Sequence, residues 1–208
     1  MFNLFGTNYK KEYLNILSES FPKILKADLD TVLACLPFND NNVKLCDGQV
    51  HKVENLIHTS NQKVVLNNEV LTIPYRIYFN EPNSLIEKLL SENQKIILNC
   101  IYLRHHNGFI RQKKLELLKD KNHYWITPFI FQLLGEYVVE IIITLESNLN
   151  DTTLENFRQF IIENPIYWQQ TKSRVVSYWN EYYRYSKNPI LKNYIGQEIV
   201  DRINKANA

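Results

Sequence analysis

The sequence predicts a mainly α-helical protein with a small antiparallel β-sheet or hairpin near its N-terminal end. Three observations lead to this fold class. Apolar residues recur at helical spacing over most of the 208 residues, and capping signals precede several of these stretches. Between residues 50 and 79, by contrast, β-branched and aromatic residues flank a two-residue turn. A composition of 45% hydrophobic and 22% charged residues indicates a packed globular core.

The N-terminal part begins with two predicted helices, over residues 9–20 and 22–36. Apolar residues such as Leu29 and Val32 recur at helical spacing in the second helix. Pro37 follows and ends it, because proline cannot continue a helix.

The stretch between residues 50 and 79 predicts a β-hairpin whose turn is Asn67–Asn68, since asparagine tolerates the left-handed backbone of a two-residue turn. A weaker strand is expected over residues 52–58. Pro74 cannot donate to a strand ladder, so its strand is expected at an edge or with a bulge. So small a sheet must pack against helices.

From residue 81 onward the pattern predicts only helices. Ser91 and Gln94 form a capping box that starts the first long one. The expected helices cover residues 84–90, 91–105, 109–119, 127–149, 153–163, 165–185 and 189–205. We therefore divide the chain into an N-terminal helix-pair and hairpin cap, residues 1–80, and a helical-repeat-like region, residues 81–208, that share one continuous core.

The segment RHHNGFIRQKKLELL, residues 104–118, resembles the turn and second helix of a HEAT-type repeat. In such repeats a polar turn is followed by a small residue, an aliphatic residue and an arginine, here Gly108, Ile110 and Arg111. The predicted long helices also start near residues 92, 127 and 165, about 35 and 38 residues apart, as in two-helix repeats. The resemblance implies a HEAT-like array of helix pairs; an irregular helical bundle is the alternative.

The longest apolar run, residues 127–149, predicts one buried helix. Gln132, Glu136 and Glu140 follow each other at a spacing of four and would form a polar stripe along it. These polar side chains would be costly in lipid, so we expect no membrane span.

The polar stripe predicts a buried ion-pair network that joins neighbouring helices. Two adjacent carboxylates repel each other unless cations compensate them. Arg104 and Arg111 are the expected partners of Glu136 and Glu140, and Arg76 is a further candidate.

The alternative interpretation of the stripe is a metal site, and with it a metal-dependent enzyme. Glu136 and Glu140 together with His105, His106 or His123 would offer oxygen and nitrogen ligands. The Glu-x-x-His pairs of dimetal bundles and the HExxH motif are missing, however, so a structural network is favoured. The adjacent histidines are instead expected at the surface, at the negative end of a helix dipole.

The segment over residues 167–187 is rich in aromatic and basic residues. One interpretation is a partner-binding surface, because Tyr, Trp and Arg are enriched in protein interfaces. Plain packing and binding of single-stranded nucleic acid are the alternatives. The candidate surface residues are Trp168, Arg174, Tyr178, Tyr182, Arg184 and Tyr185.

Other features exclude common functions. A net charge of +2 gives no general argument for nucleic acid. The sequence has no GxxxxGK[ST], GxGxxG or GxSxG motif, so we expect no cofactor. Three separated cysteines favour a reducing cytoplasm, and abundant asparagine suggests a low-GC bacterial genome. We therefore predict a non-enzymatic helical protein that binds another protein.

Overall fold

The computed structural model describes residues 4–44, 48–59, 63–185 and 189–206, with side chains from residue 9 onward. Within these ranges the protein is mainly α-helical with a few short antiparallel strands, which confirms the predicted fold class. The helices are α1 (Leu4–Ser18), α2 (Lys26–Ala34), α3 (Ser84–Leu89), α4 (Glu92–Tyr102), α5 (Gly108–Leu117), α6 (Thr127–Phe131), α7 (Val139–Ser147), α8 (Asp151–Glu163), α9 (Pro165–Tyr178) and α10 (Ile195–Ala206).

Short strands fill the region between α2 and α3. They are β1 (Asn42–Lys44), β2 (Val50–Lys52), β3 (Ile57–His58), β4 (Lys63–Leu66), β5 (Glu69–Thr72) and β6 (Arg76–Ile77). β1 pairs with β2, β3 with β6, and β4 with β5, all antiparallel. The β4–β5 hairpin is the predicted one, with Asn67 and Asn68 at φ 50° and 67°. The strand expected after the turn breaks around Pro74, and its two halves, β5 and β6, pair with different strands.

The β4–β5 hairpin is hydrogen-bonded to residues that adjoin helices in the N-terminal and C-terminal parts of the chain. Thr72 N donates to Glu19 O at 2.9 Å. The Asn164 side chain, between α8 and α9, accepts from Val65 N at 2.7 Å and donates to Val65 O at 2.8 Å. It thus pairs with Val65 as a neighbouring strand would. Buried hydrophobic side chains from the N-terminal and C-terminal parts form one core cluster.

The prediction of one continuous helix over residues 127–149 is wrong. α6 ends at Phe131 and a 3₁₀ turn follows over Gln132–Gly135. Glu136 is extended, at φ −101° and ψ 156°, and α7 begins only at Val139. A Cβ at Gly135 would stand 3.2 Å from Arg174 Cδ, so α9 packs directly against this backbone. No helix in the described part of the chain is both long and apolar enough to cross a bilayer.

The break also shortens the middle member of the predicted helix series. α4, α6 and α9 start close to the expected positions, at Glu92, Thr127 and Pro165. α6, however, has only 5 residues. The HEAT-like resemblance therefore stays a prediction.

Candidate functional site

The turn between α4 and α5 runs beside β6 as an added strand. Ile77 N donates to Arg104 O at 2.9 Å, and His106 N donates to Ile77 O at 3.0 Å. A parallel bridge joins Ile77 to His105. This pairing satisfies backbone groups that the helix end leaves open, and it places the arginines of β6 and of the turn next to each other.

Three arginines converge on the buried carboxylate of Glu136. Arg76 Nη2 donates to Glu136 Oε1 at 2.9 Å and to Oε2 at 3.0 Å. Arg111 Nη2 donates to Oε2 at 3.4 Å, and Arg104 Nη2 lies 3.8 Å from Oε1. We call these four residues the arginine network. The break in the predicted helix is what turns Glu136 toward them, since an extended residue lies outside the helical register.

The same arginines also hold backbone carbonyls. Arg111 Nη1 donates to the carbonyls of His105 and His106, at 2.6 and 2.9 Å. Arg104 Nη2 donates to Tyr75 O at 3.1 Å. Burial lowers the pKa of Arg104 to about 10, although Glu136 opposes this shift. The arginine network therefore fixes β6, the α4–α5 turn and the α6–α7 break relative to one another.

Glu140 does not belong to the arginine network, contrary to the prediction. It lies exposed on α7, and no ion pair within the described ranges includes it. The reason is the break at Glu136, which removes the helical stacking of the two carboxylates. The metal-site interpretation requires Glu136 and Glu140 to lie on one face of one helix, and the structure does not place them there.

The histidine pair lies deeper than predicted. His105 is 2% exposed; its Nε2 lies 3.2 Å from Phe79 O, and its Nδ1 accepts from Asn107 N at 3.1 Å. Both ring nitrogens are thus engaged by backbone groups, and burial lowers the His105 pKa to about 3. His106 is partly buried and its ring stacks on Tyr78. In the described part of the chain, no group of three or more His, Cys, Asp or Glu is placed to hold a metal ion.

Three tyrosines form an exposed cluster beside the arginine network. Tyr137 directly follows Glu136, and its ring centroid lies 5.3 Å from that of Tyr182 and 5.9 Å from that of Tyr178. Tyr137 is 45% and Tyr182 51% exposed. We call Tyr137, Tyr178 and Tyr182 the tyrosine cluster. It joins the α6–α7 break to the end of α9.

The tyrosine cluster lies within the electrostatic reach of the network. Burial raises the pKa of Tyr178, and Tyr75 and Glu136 raise it further, whereas Arg174 and Arg76 lower it. The exposed ring of Tyr75 in turn lies under the guanidinium of Arg76, with the carbon 5.0 Å from the centroid. Arg76 thus links the arginine network to the exposed ring of Tyr75.

The last turn after α9 is a π-helical turn, Trp179–Tyr183. Such turns are rare and often occur at functional sites. Here the wider turn accompanies the projection of Tyr182 toward Tyr137, and the Tyr183 hydroxyl donates to the Tyr137 carbonyl. Exposed Arg184 lies 5.8 Å from the Trp179 centroid and 5.3 Å from that of Tyr185.

The structure separates the predicted surface residues into two groups. Trp168 is only 7% exposed and packs on Phe131 in the core, so its assignment to the surface is wrong. The other five predicted residues are partly or fully exposed. Tyr137 was missed because the continuous-helix prediction placed it in a buried run. No local signal in the sequence separates Tyr137 from that run, because the break that exposes it depends on residues distant in the chain.

A second group of ion pairs, around the buried Lys114, was not predicted from the sequence. Lys114 is 1% exposed, and its Nζ lies 3.0 Å from Glu81 Oε1 and 3.2 Å from Glu87 Oε1. The ammonium also lies 5.5 Å from the ring centroid of Tyr102. The group ties α5 to α3 and the segment before it, so we assign it a structural role.

Comparison with known proteins adds no relative. No family model matches the sequence, and neither a curated protein nor a solved structure matches it.

Proposed function

We propose that this chain is a non-enzymatic helical interaction protein that binds another protein through the tyrosine cluster. The observation that carries the proposal is a contiguous group of three tyrosines from two distant chain segments, two of them about half exposed. Scattered exposed apolar residues are normal on a surface, but tyrosines gathered next to arginines have the composition of an interface centre.

The support beneath the cluster favours binding over simple packing. The arginine network holds the side chain of Glu136, the residue before Tyr137, and the Tyr183 hydroxyl donates to the Tyr137 carbonyl. Tyrosine side chains on such a rigid base lose little conformational entropy when a partner covers them. Arg184 is exposed two residues after Tyr182, and its positive charge would favour an acidic partner surface.

The proposal extends to the setting of the protein. Cys35 and Cys100 are free thiols, and burial raises the pKa of Cys100, which keeps it protonated and unreactive. Cys46 lies outside the described residues. These features support the reducing, cytoplasmic location that we propose. The starts of α4, α6 and α9, close to the expected positions, support a HEAT-like scaffold as the proposed architecture.

The test is quantitative affinity capture with alanine variants. Tyr137→Ala and Tyr182→Ala should each weaken capture of one defined partner by about tenfold or more while the melting temperature changes little. Phe109→Ala is the matched control, because Phe109 is an exposed aromatic residue at 75% outside the cluster. Equal capture by all variants would remove the proposal.

Single-stranded nucleic acid is an outcome of the same experiment. If the captured material is sensitive to nuclease and weakened by Arg174→Ala and Arg184→Ala, the surface binds nucleic acid instead of protein.

A further inference from the structure

Two arginines depend on one shared carboxylate in the arginine network. Arg76 and Arg104 lie 2.9 and 3.8 Å from the same oxygen, Glu136 Oε1. Every ion pair that these two arginines make with described residues goes to this carboxylate, which also accepts from Arg111. Positive charge thus exceeds negative charge at a place where water is largely excluded. Such an excess is costly unless an anion compensates it.

Arg104 shows where the compensation is incomplete. Its side chain is 3% exposed. Its Nε and Nη1 atoms are buried and have no hydrogen-bond partner among the described residues. Buried donors of this kind are rare in folded proteins and commonly indicate a water or an ion that completes the site.

Arg76 gives the network its access to solvent. The Arg76 side chain is 12% exposed and packs over the half-exposed ring of Tyr75. Arg76 makes three hydrogen bonds to described groups, one to Tyr75 O and one to each Glu136 oxygen. A guanidinium has five N–H donors, so some of them remain for a further acceptor. We propose that the outer edge of the network, at Arg76 with Arg104 behind it, is a binding site for an oxyanion, a phosphate or carboxylate group.

Glu136 acts in this site as an internal competitor. Its carboxylate occupies the acceptor position that an external oxyanion would otherwise share. Glu136→Gln removes the competing charge and should strengthen binding, whereas Arg76→Gln removes the outer fork and should weaken it. The two changes act in opposite directions, which a purely structural network would not produce. The site does not require a protein partner, so it can fail while the tyrosine-cluster proposal holds.

The experiment is calorimetric titration of the purified full chain with inorganic phosphate, at constant ionic strength in a chloride buffer. Wild type should bind one phosphate, Arg76→Gln should bind about tenfold more weakly, and Glu136→Gln about tenfold more tightly. Arg158→Gln is the control, because Arg158 is 49% exposed on α8 and the change alters net charge equally. If Arg76→Gln does not fold, Arg76→Lys replaces it in the titration. Lysine keeps the positive charge but lacks the planar guanidinium, so this variant should also bind phosphate about tenfold more weakly than wild type.

Further titrants identify the source of the group. Acetate tests a carboxylate, and adenosine monophosphate tests a phosphate carried by a nucleotide, whose base could stack on Tyr75. The titrant with the lowest Kd among phosphate, acetate and adenosine monophosphate identifies the class of ligand. The proposal is overturned if neither wild type nor Glu136→Gln binds any of them. It is also overturned if Arg76→Gln or Arg76→Lys binds as wild type does, which would indicate an adventitious ion only.

Discussion

Replacing Glu136 by glutamine should destabilise the protein by about 3 kcal/mol. Removing one partner of a buried ion pair costs about 3–5 kcal/mol, because the remaining charge stays buried and uncompensated. Three arginines lose the negative charge in this variant. The lower end of the range applies, since Arg76 is partly exposed and the glutamine oxygen still accepts a hydrogen bond.

The assay is urea unfolding at pH 7 in a buffer without phosphate, so that no oxyanion substitutes for the lost carboxylate. Glu140→Gln is the matched control, a glutamate of the same predicted stripe that lies exposed on α7, and it should change stability by no more than about 0.5 kcal/mol. A double-mutant cycle that combines Arg76→Gln with Glu136→Gln should give a coupling free energy of about 1–3 kcal/mol. A loss below about 1 kcal/mol for Glu136→Gln, or equal losses for both glutamates, would refute the reasoning.

Two further predictions concern pH and packing. Since the folded-state pKa of His105 is lowered to about 3, the unfolded chain binds its proton first as the pH falls, and between about pH 6.5 and pH 3 stability decreases. At pH 5 the free energy of unfolding should be about 2 kcal/mol lower than at pH 7. The His105→Asn variant should lose this pH dependence, whereas the variant His123→Asn, at an exposed histidine, should keep it. Urea unfolding of each variant at pH 7 and pH 5 measures the difference. Gly196→Ala should cost about 2 kcal/mol in urea unfolding, since its Cβ would lie 2.6 Å from a buried tyrosine ring. Gly108→Ala, with nothing nearer than 3.7 Å, should be neutral or slightly stabilising; equal effects of the two would contradict the packing.

Local signals in the sequence predicted the elements that depend on neighbouring residues. The Asn67–Asn68 turn has the expected left-handed backbone, and the Ser91–Gln94 capping box forms as expected. Both features depend on short-range hydrogen bonds and backbone preferences, which a few residues determine.

The failure at Gly135 and Glu136 has a tertiary cause. Apolar periodicity continues through this segment, so the pattern alone predicts an unbroken helix. The break requires Arg174 of α9 to lie against Gly135 and Arg76 of β6 to reach Glu136. Both partners are at least 39 residues away in the sequence, so no local window contains the information. The same break explains why Arg104 and Arg111 lie beside Glu136 although Glu140 does not.

The most direct test of the central claim is photo-cross-linking from the tyrosine cluster. A photoreactive phenylalanine placed at Tyr182 in cells that express the protein should yield one discrete protein conjugate, and the Tyr137→Ala change should weaken it. The same probe at the exposed control position Phe109 should yield no such conjugate. A conjugate of equal yield from both positions, or a nuclease-sensitive product from Tyr182, would contradict the claim that this surface binds a protein.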